Sequence, residues 1–218
     1  DFTTIQEAID YSIDGDSILV SAGTYDENIN FNGKNISVIG EDRETTIIDG
    51  SELVNLVGVR IYQSNGGIFK NFTIQNFHGH GSGGALNVES IYDNSTVFIE
   101  NVKIQYNSTT DNGGGAYFHQ SRADISNSVI QYNNSERGGG LFVDGSDITI
   151  NESDINNNEA VVKGGGIYIY SSDVNININK SLLSGNSSVS HGGAIFISAS
   201  SELNVNNSTI ADNSISYE

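Results

Sequence analysis

Few side chains in this sequence could carry out chemistry, and they gather in one part of a repeated pattern. His119 and Asp144 fall at equivalent places in neighbouring copies of that pattern, where an imidazole and a carboxylate could act as a proton-transfer pair. No nucleophile, arginine or metal partner accompanies them, so the pair also reads as an ordinary surface contact. One column away, Tyr117, Phe142 and Tyr168 form a ladder with His119 and Tyr170 beside it. Flat aromatic surfaces spaced along a rigid groove can stack on sugar rings, and exposed apolar patches mark partner sites. Tyr117, His119, Phe142, Tyr168 and Tyr170 are therefore the candidate ligand-binding residues. The alternative is that a loop packs over the ladder, or that aromatic residues merely suit strand positions.

The other reactive residues give weaker signals. His78, His80 and His191 sit in or beside glycine turns, whereas a metal site would need convergent ligands. The acidic residues lack calcium-loop spacing, so no metal ligand and no cofactor is assigned beyond weak, nonspecific binding of cations such as calcium. Glycine-rich stretches can cradle phosphates, but none here is followed by a helix or by Lys-Ser/Thr. Asn-X-Ser/Thr sequons at Asn71, Asn94, Asn107, Asn151 and Asn186 arise readily in so Asn- and Ser-rich a chain.

The formal net charge of −18, with only nine Lys and Arg, repels phosphate backbones and argues against nucleic acid as a partner. With no cysteine there is neither a disulfide framework nor a thiolate site. No apolar run reaches the length of a membrane-spanning helix.

The elements that must position these residues follow from the repeat. Ser82-Gly83-Gly84-Ala85-Leu86, Gly113 to Tyr117, Gly138 to Phe142, Gly164 to Tyr168 and His191-Gly192-Gly193-Ala194-Ile195 begin 31, 25, 26 and 27 residues apart. Such a period is the signature of a solenoid. Aligned apolar columns run through Phe69, Ile99, Ile125, Ile150, Ile178 and Val205, and five residues further on through Ile74, Ile104, Ile130, Ile155, Leu183 and Ile210. Asn recurs eight positions on, at Asn107, Asn133, Asn158, Asn186 and Asn213, where its amide can bond the equivalent Asn of the next coil. The pattern predicts an all-β solenoid, a parallel β-helix with three strands per coil and the glycine cluster at the corner before the first. Parity places Ala85, Ala116, Leu141, Ile167 and Ala194 inward, with Asn87, Phe118, Val143, Ile169 and Phe196. The intervening columns Leu86, Tyr117, Phe142, Tyr168, Ile195 and Val88, His119, Asp144, Tyr170, Ile197 then point outward.

Thr4-Ile5-Gln6-Glu7 has capping-box spacing, so a short α-helix should follow, ended by Asp14-Gly15-Asp16. Residues 1–16 are read as a cap over the end of the solenoid and 17–218 as its coils. The sequence stops part-way through a repeat, which predicts that the coils continue or dock on a partner.

The opening Thr3 to Asp10, then Asp14 to Val20, Ala22-Gly23-Thr24-Tyr25, Glu27-Asn28-Ile29, Gly33 to Ile36 and Thr46 to Gly50, resembles the cap and first coils of pectin-lyase-like right-handed parallel β-helices. The Gly-Gly-Ala/Gly-apolar-aromatic repeats with trailing Asn are similar to polymorphic outer-membrane-protein and secreted surface-protein repeats of that superfamily. The resemblance implies a right-handed, single-stranded β-helix, and a superfamily that contains lyases, esterases, hydrolases and noncatalytic surface proteins. Its enzymes place acids and bases on the outward face of central coils. Gly79-His80-Gly81 matches one polygalacturonase motif, but no adjacent Asp pair or Arg-Ile-Lys accompanies it, and paired carboxylates are what glycoside hydrolysis needs. No pectin methylesterase motif and no stacked acids of a pectate lyase occur, so no catalytic residue is assigned. The expectation is a noncatalytic, secreted or cell-surface, adhesin-like module binding an extracellular glycan or surface protein, with end-to-end self-association open to it. The rivals are a polysaccharide-active lyase or hydrolase and a structural stalk.

Overall fold

The short strands cannot bury an apolar face alone, and the chain solves this by winding into coils whose equivalent segments pair with one another. The structure, a computed structural model, describes residues 1–91 and 95–216, so the sequon at Asn94 and the last two residues of the coil region lie outside the described residues. All strand pairing is parallel. Sheet I has eight strands and begins at Ser17–Val20; sheet II, also of eight, begins at Gly23–Tyr25. Sheet III has seven and begins at Ile29–Asn30. The three strands expected per coil are present, and from His78–Gly79 onward a narrow six-stranded sheet IV is inserted between II and III. Its segments are mostly two residues long, too short to show alternation in sequence.

The apolar columns behave as expected. Phe69, Ile99, Ile125, Ile150 and Ile178 stack in sheet I, and Ile74, Ile104, Ile130, Ile155 and Leu183 in sheet II, all buried in one continuous core. The stretch Ile68 to Gln75 is divided between Gly67–Lys70 and Thr73–Gln75 by a corner at Asn71, whose φ is 63°.

Polar residues hold the corners. Asn133 donates from its backbone N and from Nδ2 to Oδ1 of Asn158, at 3.1 and 3.0 Å, and its Nδ2 also reaches the Ile104 carbonyl. Asn107, Asn158 and Asn186 repeat the arrangement, all fully buried. A parallel serine ladder joins the corner between sheets I and II: the backbone N of Val102, Ser128, Ser153 and Ser181 donates to the hydroxyl of Ser128, Ser153, Ser181 and Ser208. These buried groups have no water to turn to, so each amide or hydroxyl is satisfied by its counterpart one turn away.

The corners impose exact lengths. From Lys70 onward two residues separate every sheet I strand from sheet II, and two separate every sheet II strand from sheet IV. The connections from IV to III take three or six residues, and those from III back to I between two and seven. From Lys70 onward the variation in connection length therefore sits on one side of the solenoid.

Helix α1, Ile5–Tyr11, covers the first coil with Ile5 and Ile9. Thr4 caps it as the sequence predicts, accepting from the Glu7 backbone N, and the Glu7 carboxylate accepts from the Thr3 hydroxyl. Glu27 accepts from the backbone N of Ile5 and Gln6, and Lys34 donates to the carbonyls of Ile9, Asp10 and Ser12. Opposite charges thus sit at the two ends where the helix dipole favours them.

Replacing Asn158 with Ala strands the Asn133 amide groups and the Ile130 carbonyl inside the core. At about 1–3 kcal/mol for each unpartnered group, the variant should lose at least about 3 kcal/mol in chemical denaturation. A loss under about 1 kcal/mol would show that the ladder is decorative.

Candidate functional site

The outer face of sheet III carries the residues singled out by sequence, but its register differs at both ends. Asn87, Tyr117, Phe142, Tyr168 and Phe196 form one outward ladder; Leu86, Ala116, Leu141, Ile167 and Ile195 form the inward one. Leu86, Ile195, Val88 and Ile197, expected outward, belong instead to inward columns, and Asn87 and Phe196, expected inward, point out. The reason is the corner glycine. The first glycine of each cluster must take a left-handed conformation, with φ of 82°, 71°, 67°, 69° and 66° at Gly83, Gly113, Gly138, Gly164 and Gly192. Gly83 and Gly192, not Ser82 and His191, therefore start their corners, and each of these two strands shifts by one residue. At Gly140 the need is a different one: a Cβ there would lie 2.6 Å from the Gly166 carbonyl oxygen of the next coil.

The aromatic ladder is a self-packed seam. Phe142 and Tyr168 stack with ring centroids 4.9 Å apart and planes 4° off parallel; Tyr117 lies 5.6 Å from Phe142 and Phe196 lies 5.2 Å from Tyr168. The rings thus present their faces to one another along the solenoid. Phe142 and Tyr168 are only 4% and 5% exposed, so neither offers a face to a sugar. What covers the ladder is the ladder itself, flanked by Tyr170, whose ring centroid is 6.1 Å from Phe142 and 6.4 Å from Tyr168. Tyr170, 54% exposed, offers the most surface of this set, and His119 is partly exposed beside it.

His119 and Asp144 meet as the spacing suggested, Nδ1 to Oδ2 at 2.9 Å. The Ser171 hydroxyl donates to the other carboxylate oxygen, a partner that sequence spacing did not reveal. Asp144 fixes the imidazole and leaves Nε2 as the atom able to accept or give a proton. Ser171 bonds to the carboxylate and not to the imidazole, so this is not a nucleophile–base arrangement. Burial first, then the charges of Asp144, Glu89 and Asp111, push the Tyr117 hydroxyl up to about 12, against a hydrogen bond with Ser82.

A second aromatic pair stands at the corner between sheets II and IV. Tyr106 and Tyr132 stack at 5.3 Å and 7°, yet remain 51% and 47% exposed. Both have positive φ, 57° and 54°, in a column otherwise filled by Asn76, Asn157, Gly185 and Asp212. A bulky side chain in that region costs about 1–3 kcal/mol. Beside them runs an amide ladder: Gln131 Nε2 donates to Gln105 Oε1, Gln105 Nε2 to Gln75 Oε1, and Gln75 Nε2 to Asp49. Burial opposes ionisation of Asp49, but hydrogen bonds from Gln75, Ser51 and Asn76 outweigh it and hold the carboxyl below its ordinary range. Repetition of Gln-Tyr-Asn at 105–107 and 131–133 was the available signal; it was hidden because the neighbouring Asn column drew the alignment.

The remaining histidines are dispersed. His78 bonds Ser108, His80 bonds Thr110, and His191 lies edge-on to Phe196. Among the described residues, no three His, Asp or Glu side chains converge as a metal site would require.

A family model described as the right-handed β-helix region matches residues 57–217, most of the chain. The chain belongs to the right-handed β-helix family. Neither a curated protein nor a solved structure matches it. The match settles the hand of the coil and agrees with the pectin-lyase-like architecture expected from the sequence. Among the described residues, no helix of this β-helix is long and apolar enough to cross a membrane.

If the seam is structural, Phe142→Ala should cost about 3 kcal/mol in chemical denaturation, as truncation of a buried ring does; an unchanged midpoint would contradict the packing described. Tyr117 titrates late. Its contribution to stability is complete below the ordinary tyrosine value of 10 and is lost as pH rises towards about 12. Phenolate absorbance should accordingly contain one component near pH 12 that Tyr117→Phe removes.

Proposed function

We propose that this right-handed β-helix is a noncatalytic extracellular or cell-surface module, adhesin-like, whose rod holds a ligand-binding strip for a glycan or a surface protein. The observation that carries the reading is the outer face of sheet III, where Tyr170 and His119 stand on a seam of stacked rings. A strip built this way is pre-organised, so little side-chain freedom is lost when a partner settles on it. The uneven connections on the same side of the rod support the reading, because length differences between repeats map to the loops of one face, often the binding face. The charge of −18 favours uncharged or basic partners over anionic polymers.

The test is binding to an array of extracellular glycans and surface proteins. A double variant, Tyr170→Ala with His119→Ala, should bind its ligand at least about tenfold more weakly while unfolding at the same denaturant concentration. Full binding by that variant would remove sheet III as the displayed face.

A second reading, a polysaccharide-active lyase or hydrolase, is favoured by one observation: the His119–Asp144 pair, outward on a central coil with Nε2 free of other partners among the described residues. Product release from a panel of neutral and acidic polysaccharides, abolished by His119→Ala, would establish this reading in place of the first.

A further inference from the structure

We infer that Tyr106 and Tyr132, at the corner between sheets II and IV, form a binding platform for an uncharged oligosaccharide. This goes beyond the strip on sheet III: it is a separate site, and it rests on the display reading only in treating the rod as a ligand carrier. The fold does not ask for tyrosine here. The corner has the same two-residue length in every coil from Lys70 onward, and its left-handed position is filled elsewhere by Asn, Gly or Asp, so the two rings hold a strained backbone conformation without completing any core. Strained, exposed side chains that packing does not require are where function concentrates.

The pair is parallel and half exposed, and the next coils carry only Asn157 and then Gly185 in the same column. Beyond Tyr132 the column therefore steps down from a ring to a short amide and then to no side chain. A pyranose placed there could lay its C–H face on the ring. Its hydroxyls would meet Gln105 and Gln131. Within their ladder the Gln75, Gln105 and Gln131 amides each give one N–H to a partner, and Nε2 carries two. On the other side the strand positions are Ser108 and Asn134, followed in the next coil by the exposed Glu159. An aromatic–amide patch bordered by a single carboxylate, in a chain of net charge −18, matches a neutral sugar, whose hydroxyls can donate to that carboxylate; an acidic polymer would be repelled.

The experiment titrates the full 218-residue chain with cellohexaose, mannohexaose and chitohexaose, and with polygalacturonate as the charged control, by calorimetry. Four proteins are compared: wild type, Tyr106→Asn with Tyr132→Asn, Tyr106→Phe with Tyr132→Phe, and Tyr170→Ala with His119→Ala. Wild type should bind at least one neutral hexaose and not the control. The Asn pair, which suits the left-handed corner, should bind at least about tenfold more weakly with a melting temperature unchanged or raised. The Phe pair, which keeps both ring faces, should bind within about threefold of wild type. Absence of binding to every neutral hexaose overturns the inference, as does loss of binding in the Phe pair. A melting temperature lowered by several degrees in the Asn pair would make the stack a structural element and overturn it too. Binding retained in the Asn pair but lost in the Tyr170→Ala, His119→Ala variant would overturn this site and leave the sheet III reading standing.

Discussion

A buried amide must find a partner, and in a coiled chain the partner at hand is its own counterpart one turn away. That constraint organises the molecule. The Asn column from Asn107 to Asn213 and the serine column from Ser128 to Ser208 are hydrogen-bonded in series, so every coil fixes the height and phase of the next. Apolar columns need no such precision, since Phe69 and Ile99 can share a stack. The polar corners determine where each strand begins, and the core fills what they enclose.

The same constraint explains what could be read from the sequence. Columns whose partners are identical residues were plain, as in the isoleucines of sheets I and II and the Asn ladder, and the equal spacing that revealed them also placed His119 against Asp144 across one coil. Sheet IV was not, because segments such as Ser108–Thr109 and Ser187–Ser188 show no periodicity and are defined only by pairing. The one-residue slip at Leu86 and Ile195 came from matching Ser82 and His191 to glycines by appearance. Conformation decides the matter, since the corner needs φ near 70° at its first residue and Gly83 and Gly192 supply it. Ser171, reaching Asp144 from a connection of irregular length, had no column to betray it.

Aromatic residues play two opposed roles in one solenoid. Phe142 and Tyr168 spend their faces on each other and act as an external core, an apolar seam outside the sheet. Tyr106 and Tyr132 also stack, but at a corner where nothing flanks them closely enough to bury them. The distinction is invisible in composition and in strand parity. It depends on whether the ring projects from a strand, between neighbours on both sides, or from a bend.

The fixed and variable connections divide the molecule into halves with different histories open to them. On the side of sheets I and II, where from Lys70 onward each turn between strands is two residues long, an insertion would disturb the stacking of the corner ladders, so in these coils that half changes most readily by substitution. On the side of sheet III the chain already absorbs between two and seven residues on its way back to sheet I without altering the pitch. Novelty in length can accumulate there coil by coil. The rod therefore behaves like a ruled spine with one editable margin, in which each coil can acquire its own loop independently of its neighbours.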